Sequence, residues 1–444
     1  MTDVRQANSV NPELQHHIDQ TPLVGTHDHQ ASEKQWIEAP GDVLSDLFGH
    51  YVASDVEAAG APPGDLERAM NGGDPDLAGR WNGIKDAWEK TRFTGYGEAV
   101  RILAKEVYGI DEITVESLKA AQPKLDALRR PGERYRLLKE MANLDHVQID
   151  NFCWACPPDP AGPEFFLYDI NFAGLCSGDV SAAGILEATG IEVKDLASLR
   201  QGIEGVFDKF APCAIAVKAQ HAYGRTLRWH PRTDAEVEPL VQKQLKGKEL
   251  TPDESLVVGD WNWALVAELC AAHNLPLKLH TGYYAGLNYM VPERIRAGNL
   301  WQLMRDHPRT RFVLMHIAYP YYQEAIAMAK HYTNAYVDLC WAWGIDPYAS
   351  MDLVRRFIHA APIRKLFAFG GDTFWPTCTV AYAIQARRWL ARALSAEVNE
   401  GLLTLDEAKE IAARIMRGNQ YECFDVEGTR SAIRKAVAEG EGNS

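Results

Sequence analysis

The chain has 444 residues, 46% hydrophobic and 24% charged, ordinary globular proportions that allow one large buried core. A net charge of −14 and a pI near 5.5 argue against nucleic acid or an anionic membrane surface as partner. No apolar run approaches the ~18 residues of a membrane span, and the first eight residues lack the apolar core of a signal peptide.

In chain order, residues 1–20 are expected to hold a short helix. An apolar run at 22–24 then leads through Gly25 into His27 and His29. Side chains two apart on a strand share a face, so both imidazoles can grip one ion. Taken alone, the pair fits a chance surface pair equally well. Asp28 between them should point the other way. Helical apolar spacing follows at 43–59, 77–90, 96–107, 115–128 and 133–143, separated by turns at 60–64 and 71–75. This reads as a helical insertion of about residues 31–144. An insertion at the C-terminal end of a barrel strand leaves the barrel at its catalytic mouth. It is expected to cap the pocket and to lie at or near a subunit interface. His50 and Tyr51 within it fit either the pocket or a solvated helix face.

From about residue 145 the rhythm is strand, loop, helix. Strands are expected at 147–153, 165–171, 213–219, 275–280, 311–316, 335–340 and 366–370. Helices are expected at 196–210, 255–273, 299–306, 321–332 and 351–360. With the opening strand there are eight units, the pattern of an α/β fold of the (β/α)8 TIM-barrel type. Residues 376–438 add extra C-terminal helices, and the whole chain, 1–444, reads as a single barrel domain. Four of the eight cysteines, Cys213, Cys270, Cys340 and Cys378, lie in apolar segments and suggest reduced thiols in a cytoplasmic protein. Cys153 and Cys156 are expected to be two packed thiols rather than half of a zinc knuckle.

Polar residues at the strand ends form a series. His27 and His29 end the first strand, Lys218 the fourth, His280 the fifth, His316 the sixth and Asp372 the eighth. Each follows an apolar strand, where an unpaired polar group is costly. Imidazole and carboxylate ligands suit Zn²⁺, and also Mn²⁺ or Fe²⁺, as one or two ions. His27, His29, His280 and Asp372 would hold one ion, and His316 would bind a second or polarise the substrate.

The series resembles the amidohydrolase superfamily. Residues 217–225 (VKAQHAYGR), 278–283 (KLHTGY), 314–321 (LMHIAYPY) and 334–339 (NAYVDL) are similar to its branch containing the amidohydrolase-like domain fused to some glutamine synthetases. They are more distantly similar to uronate isomerases. The resemblance spans strands one to eight and leaves out the insertion and the C-terminal helices. It implies Asp372 as general base, and Lys218 either as a carboxylated bridge between two metals or as a bare ammonium. Tyr223 and Arg225 beside Lys218 favour the ammonium and an anion pocket.

Tyr283, Trp341, Trp343 and Trp375 follow strands five, seven and eight and either wall a substrate or pack, and Asp338 is expected to partner a ligand histidine. The expected function is metal-dependent hydrolysis of a C–N or C–O bond (amide, lactone or similar) in a small molecule, with a carboxylate on that molecule one option. The same ligands serve a decarboxylase, a uronate-type isomerase, a non-haem iron oxygenase component or a catalytically silent subunit. The expected partners are a small-molecule substrate and further copies of the chain, or a related subunit in a hetero-oligomer.

Overall fold

The computed structural model describes residues 9–441; the first eight residues, part of the expected opening helix, lie outside them. Eight parallel strands follow one another around a barrel in sequence order. They are β1 (Leu23–Asp28), β2 (Leu144–Ile149), β3 (Phe166–Asn171), β4 (Ala214–Ala219), β5 (Leu277–Leu279), β6 (Phe312–Leu314), β7 (Ala335–Asp338) and β8 (Leu366–Phe367). Beyond the short β8 the ring is closed by backbone bonds. Thr26 N–H donates to Phe369 O at 2.9 Å and Asp372 N–H to His27 O at 3.1 Å. Every residue of β1 and β4 to β8 is buried, as strands covered by helices outside and by barrel core inside should be.

The register of β2 differs from the expected 147–153. The strand begins at Leu144 and takes in Asp145 and His146, which the expected bounds leave out. His146 is buried because its Nδ1 meets Asp145 Oδ1 at 2.8 Å, and Arg417 and Tyr421 hold the same carboxylate. The strand ends at Ile149, where Asp150 N–H donates to Asp28 O at 3.0 Å. Residues 151–155 therefore leave the sheet. Cys153 within them is exposed while Cys156 is buried, so the expected packed pair is corrected.

Between β1 and β2 the insertion builds a core of its own, with Phe48 against Trp88 and Trp81 at 5.1 and 5.9 Å between ring centroids. Buried Arg80 ties it together through Asp42 at 2.6 and 3.0 Å and the carbonyls of Ala69 and Asp74. Asp46 docks it on the long C-terminal helix Pro376–Asn399, accepting from Thr377 at 3.1 Å and from Tyr108 at 2.6 Å. The single helix expected over 43–59 is two, Val43–Phe48 and Val52–Ala58. Gly49 (ψ 36) stops the first, and a Cβ there would meet Ser45 O at 2.5 Å. The turn expected at 60–64 is shorter, because Pro63 opens the helix Pro63–Met70 with its fixed φ and missing N–H, both suited to a first turn. No helix of the described residues is long and apolar enough to cross a membrane.

A candidate metal centre at the barrel mouth

At the C-terminal ends of the strands, His27 Nε2 and His29 Nε2 lie 3.1 and 3.3 Å from the same oxygen, Asp372 Oδ1. His316 Nε2 lies 3.7 Å from Asp372 Oδ2. Hydrogen bonding settles which ring nitrogens are free. His29 Nδ1 meets Asp150 O at 2.7 Å, His316 Nδ1 meets Cys340 O at 3.0 Å, and His280 Nε2 meets Tyr283 O at 2.9 Å. A carbonyl only accepts, so each of these nitrogens carries the proton and the other holds a lone pair. His27 and His316 present buried Nε2 atoms with no hydrogen-bond partner. By these tautomers His29 Nε2 and His316 Nε2 turn lone pairs towards the Asp372 carboxylate. A divalent cation resolves that repulsion, and ligand imidazoles oriented through carbonyls are the usual support of a metal site.

Electrostatics point the same way. Burial, then the nearby Lys218 charge, lowers the pKa of His27. Burial pushes His316 down to about 4 and His280 well below its ordinary range. Burial would raise Asp372, but the His27, His29 and His316 imidazoles outweigh it and hold the carboxyl well below its usual range. His29 runs the other way: burial lowers it, and the Asp372 contact more than restores it.

Among the described residues two triples could hold a metal, and both contain Asp372. One is His27, His29 and Asp372, the other His316, Cys340 and Asp372. His280 stays outside both triples, its ring centroid 4.4 Å from that of His316. Lys218, buried on β4, bears electrostatically on His27, His280 and Asp150. Tyr223 packs its ring on His280 at 4.5 Å. Arg225 is not gathered in. Its guanidinium is taken by the Asp260 carboxylate and by the carbonyls of Cys176, Thr226 and Arg228. Its assigned role on a substrate anion is therefore corrected to a structural one.

Trp341 packs on Tyr51 at 4.4 Å with the rings tilted by 35° and meets His316 edge-on at 5.3 Å, with Tyr283 6.0 Å away. Trp343 is packing: it is buried and donates Nε1–H to Ala368 O. Asp28 turns away from the cluster and accepts from Thr373 N–H at 2.9 Å. Asp338 binds no ligand histidine but accepts from Cys340 N–H at 2.9 Å. His50, Tyr51 and Trp375 line a cavity of about 330 Å³ together with His29 and Asp372. The Tyr51 hydroxyl donates to Asp372 O. The break at Gly49 brings these two insertion residues to the site, a position that unbroken helical spacing does not reveal.

Sequence reasoning missed Asp150, Phe152 and the Asp169–Lys278 pair. Asp150 follows the second strand just as His280 follows the fifth, so the same strand-end rule finds it once β2 ends at Ile149. Lys278 donates to both oxygens of Asp169 at 2.9 Å in the barrel interior.

Residues 214–424 match the family model described as Amidohydrolase. Protein fluG of Emericella nidulans is 27% identical over 229 residues, 48% of this chain. The match spans about a quarter (26%) of that relative's length. Among solved structures, uronate isomerase from Thermotoga maritima has a TM-score of 0.78 at 14% identity, covering 95% of this chain and 97% of its own. Glucuronate isomerase from Caulobacter crescentus gives 0.73 at 16%, covering 95% of each chain. A Lactobacillus casei protein provisionally named a metal-dependent hydrolase gives 0.64 at 18%, covering 94% and 98%. At such identities these structures speak to the fold, a TIM barrel.

Proposed function

We propose that this chain, whose residues 214–424 match the amidohydrolase family model, is a divalent-metal enzyme that hydrolyses a C–N or C–O bond of a small molecule. The observation that supports it most is the convergence of unpartnered imidazole nitrogens on both oxygens of Asp372. His27, His29 and Asp372 would hold the ion, with Zn²⁺ the first choice for this nitrogen and oxygen set and Mn²⁺ or Fe²⁺ compatible. When bound, such an ion supplies Lewis acidity and lowers the pKa of water towards ~7.

The chain's own residues would do the rest. Asp372 turns Oδ1 to His27 and His29 and keeps Oδ2 on the other side, where it accepts the proton of the attacking water and passes it to the leaving group. His316 cannot polarise a carbonyl while its proton sits on Nδ1, facing Cys340 O. Its Nε2 therefore serves as a ligand for a second ion or as a proton acceptor. Lys218 is read as a bare ammonium facing Asp150, whose pKa, raised by burial, is lowered first by Lys218. Tyr51 and Trp341 exclude bulk water above the cluster.

Sugar-acid isomerisation is the second reading, favoured by the fold similarity to uronate isomerases. The engagement of Arg225 by Asp260 weighs against a carboxylate anchored there. The test is elemental analysis of the purified protein, with anaerobic turnover on a panel of amides, esters and lactones beside glucuronate. His27→Ala, His29→Ala and Asp372→Ala should each lose metal and activity while keeping the fold. Full metal content in all three variants would sink the assignment. The insertion, with Phe93 74% exposed, is the face on which we expect self-association, read by sedimentation.

A further inference from the structure

We propose that the pocket beside the cluster is built for a planar, uncharged aryl group, which deepens the hydrolytic reading above and rests on it. The cavity of about 330 Å³ reaches His29 and Asp372 at its inner end. Its walls are Phe152, Phe374, Trp375 and Tyr51, and among the described residues its lining includes no lysine or arginine. Phe152 and Phe374 are 61% and 45% exposed. Large apolar rings left in contact with solvent at the mouth of a pocket offer surface for a ligand to bury.

Phe152 is not a loose side chain. Its ring lies on His29 at 4.4 Å with 10° between the planes. Its backbone sits at φ 60, a left-handed conformation that costs energy in a non-glycine residue and persists where surroundings enforce it. Asp150 is what enforces it. The carboxylate accepts Phe152 N–H at 2.9 Å, while the Asp150 carbonyl accepts His29 Nδ1–H at 2.7 Å. Asn171 grips both carboxylate oxygens at 2.9 Å, and Gln220 adds a bond at 3.3 Å. One buried aspartate thus fixes an imidazole of the cluster and the exposed ring stacked on it.

Elsewhere in the same lining Phe374 meets Trp375 edge-on at 4.8 Å, and Trp375 leans on Trp36 of the insertion at 5.6 Å. Aromatic side chains held by these contacts and lining one pocket suit a flat ring through stacking and edge contacts. A polyhydroxylated acid would need a donor or acceptor for each hydroxyl and a cation for its carboxylate. The lining offers His50, Tyr51, Ser54 and Thr373 as hydrogen-bonding groups, but, apart from an ion on His29 and Asp372, no cation to hold a carboxylate.

The experiment titrates the metal-loaded protein with benzamide, cyclohexanecarboxamide and glucuronate by calorimetry, with metal content measured in every sample. Benzamide should bind about tenfold tighter than either of the others. Phe374→Ala, whose ring packs on Trp375, and Phe152→Ala should each weaken benzamide by about two- to tenfold, the range of one aromatic pair. Glucuronate binding as tightly as benzamide, no detectable benzamide binding, or unchanged benzamide affinity in both variants overturns the inference. Full metal content in His27→Ala, His29→Ala and Asp372→Ala alike instead overturns the metal reading, so the two failures are told apart.

Discussion

Replacing Lys278 with methionine tests how the barrel interior supports the metal-facing end of β1. The ammonium spends its three protons on Asp169 Oδ1 and Oδ2, both at 2.9 Å, and on Thr26 O at 2.6 Å. Both charged side chains are fully buried. Removing one partner strands the Asp169 carboxylate in the core, 3.9 Å from His27 Nδ1. Breaking such a buried pair costs about 3–5 kcal/mol, and the Thr26 carbonyl forfeits a bond of about 1 kcal/mol. We expect Lys278→Met to lower unfolding stability by about 4 kcal/mol, read from urea transitions followed by circular dichroism. Asp169→Leu combined with Lys278→Met should recover most of that loss, because an apolar pair of similar volume leaves no unpaired charge. A single substitution costing under about 1 kcal/mol, or a double no better than the single, would refute the reasoning.

Two further outcomes follow from the insertion. Tyr51→Phe removes the hydroxyl that donates to Asp372 O; one net hydrogen bond of about 1 kcal/mol predicts a roughly fivefold fall in kcat/KM with metal content unchanged, and an unchanged kcat/KM contradicts it. His50, depressed to about 4 by burial and only partly restored by its bond to Leu47 O, is neutral in the fold. Its unfolded form binds the extra proton between about pH 6.5 and 4, so stability is full above 6.5 and falls as pH drops through that window. The ring is half-buried, so solvent reduces the loss below the ~3 kcal/mol that the whole shift would carry. His50→Gln should flatten this part of the pH profile of urea midpoints; a profile identical to that of the parent protein rejects it.

The barrel was legible because parallel strands buried on both faces write themselves as apolar runs, and each ends where a polar residue can be afforded. That rule named His27, His29, His280, His316 and Asp372 from residue types alone, and the structure gathers all five at one mouth. It failed at β2, because a buried His146 balanced by Asp145, Arg417 and Tyr421 looks like loop in a one-dimensional pattern. The error then displaced Asp150 into mid-strand and hid Phe152. Arg225 was misassigned for a related reason. Proximity in sequence to Lys218 suggested a shared anion, whereas its partner Asp260 lies 35 residues further on, on the helix Pro252–Ala272. Apolar periodicity carries no record of long-range charge pairing.

The backbone explains why one half of the site is rigid. His316, Ile317 and Ala318 after β6, Trp341 after β7 and Asp372 after β8 all have φ between 49 and 61. Each such residue costs about 1–3 kcal/mol and survives only where packing over-determines it. Here every one of them is buried. Trp341 N–H is held by Gly370 O and Asp372 N–H by His27 O. Gly282 lets the 316–318 turn close in, since a Cβ there would lie 2.5 Å from Tyr319 N. These turns bend the chain across the barrel immediately after short strands, which brings His316 and Asp372 to the end of β1. The opposite wall is made differently, from the break at Gly49 and from residues 151–155, where Phe152 and the insertion meet solvent. Ligand geometry is thus set by the strained barrel rim and ligand selection by the added segments. On this division, changes in the insertion should alter which molecule binds while leaving the ion-binding groups in place.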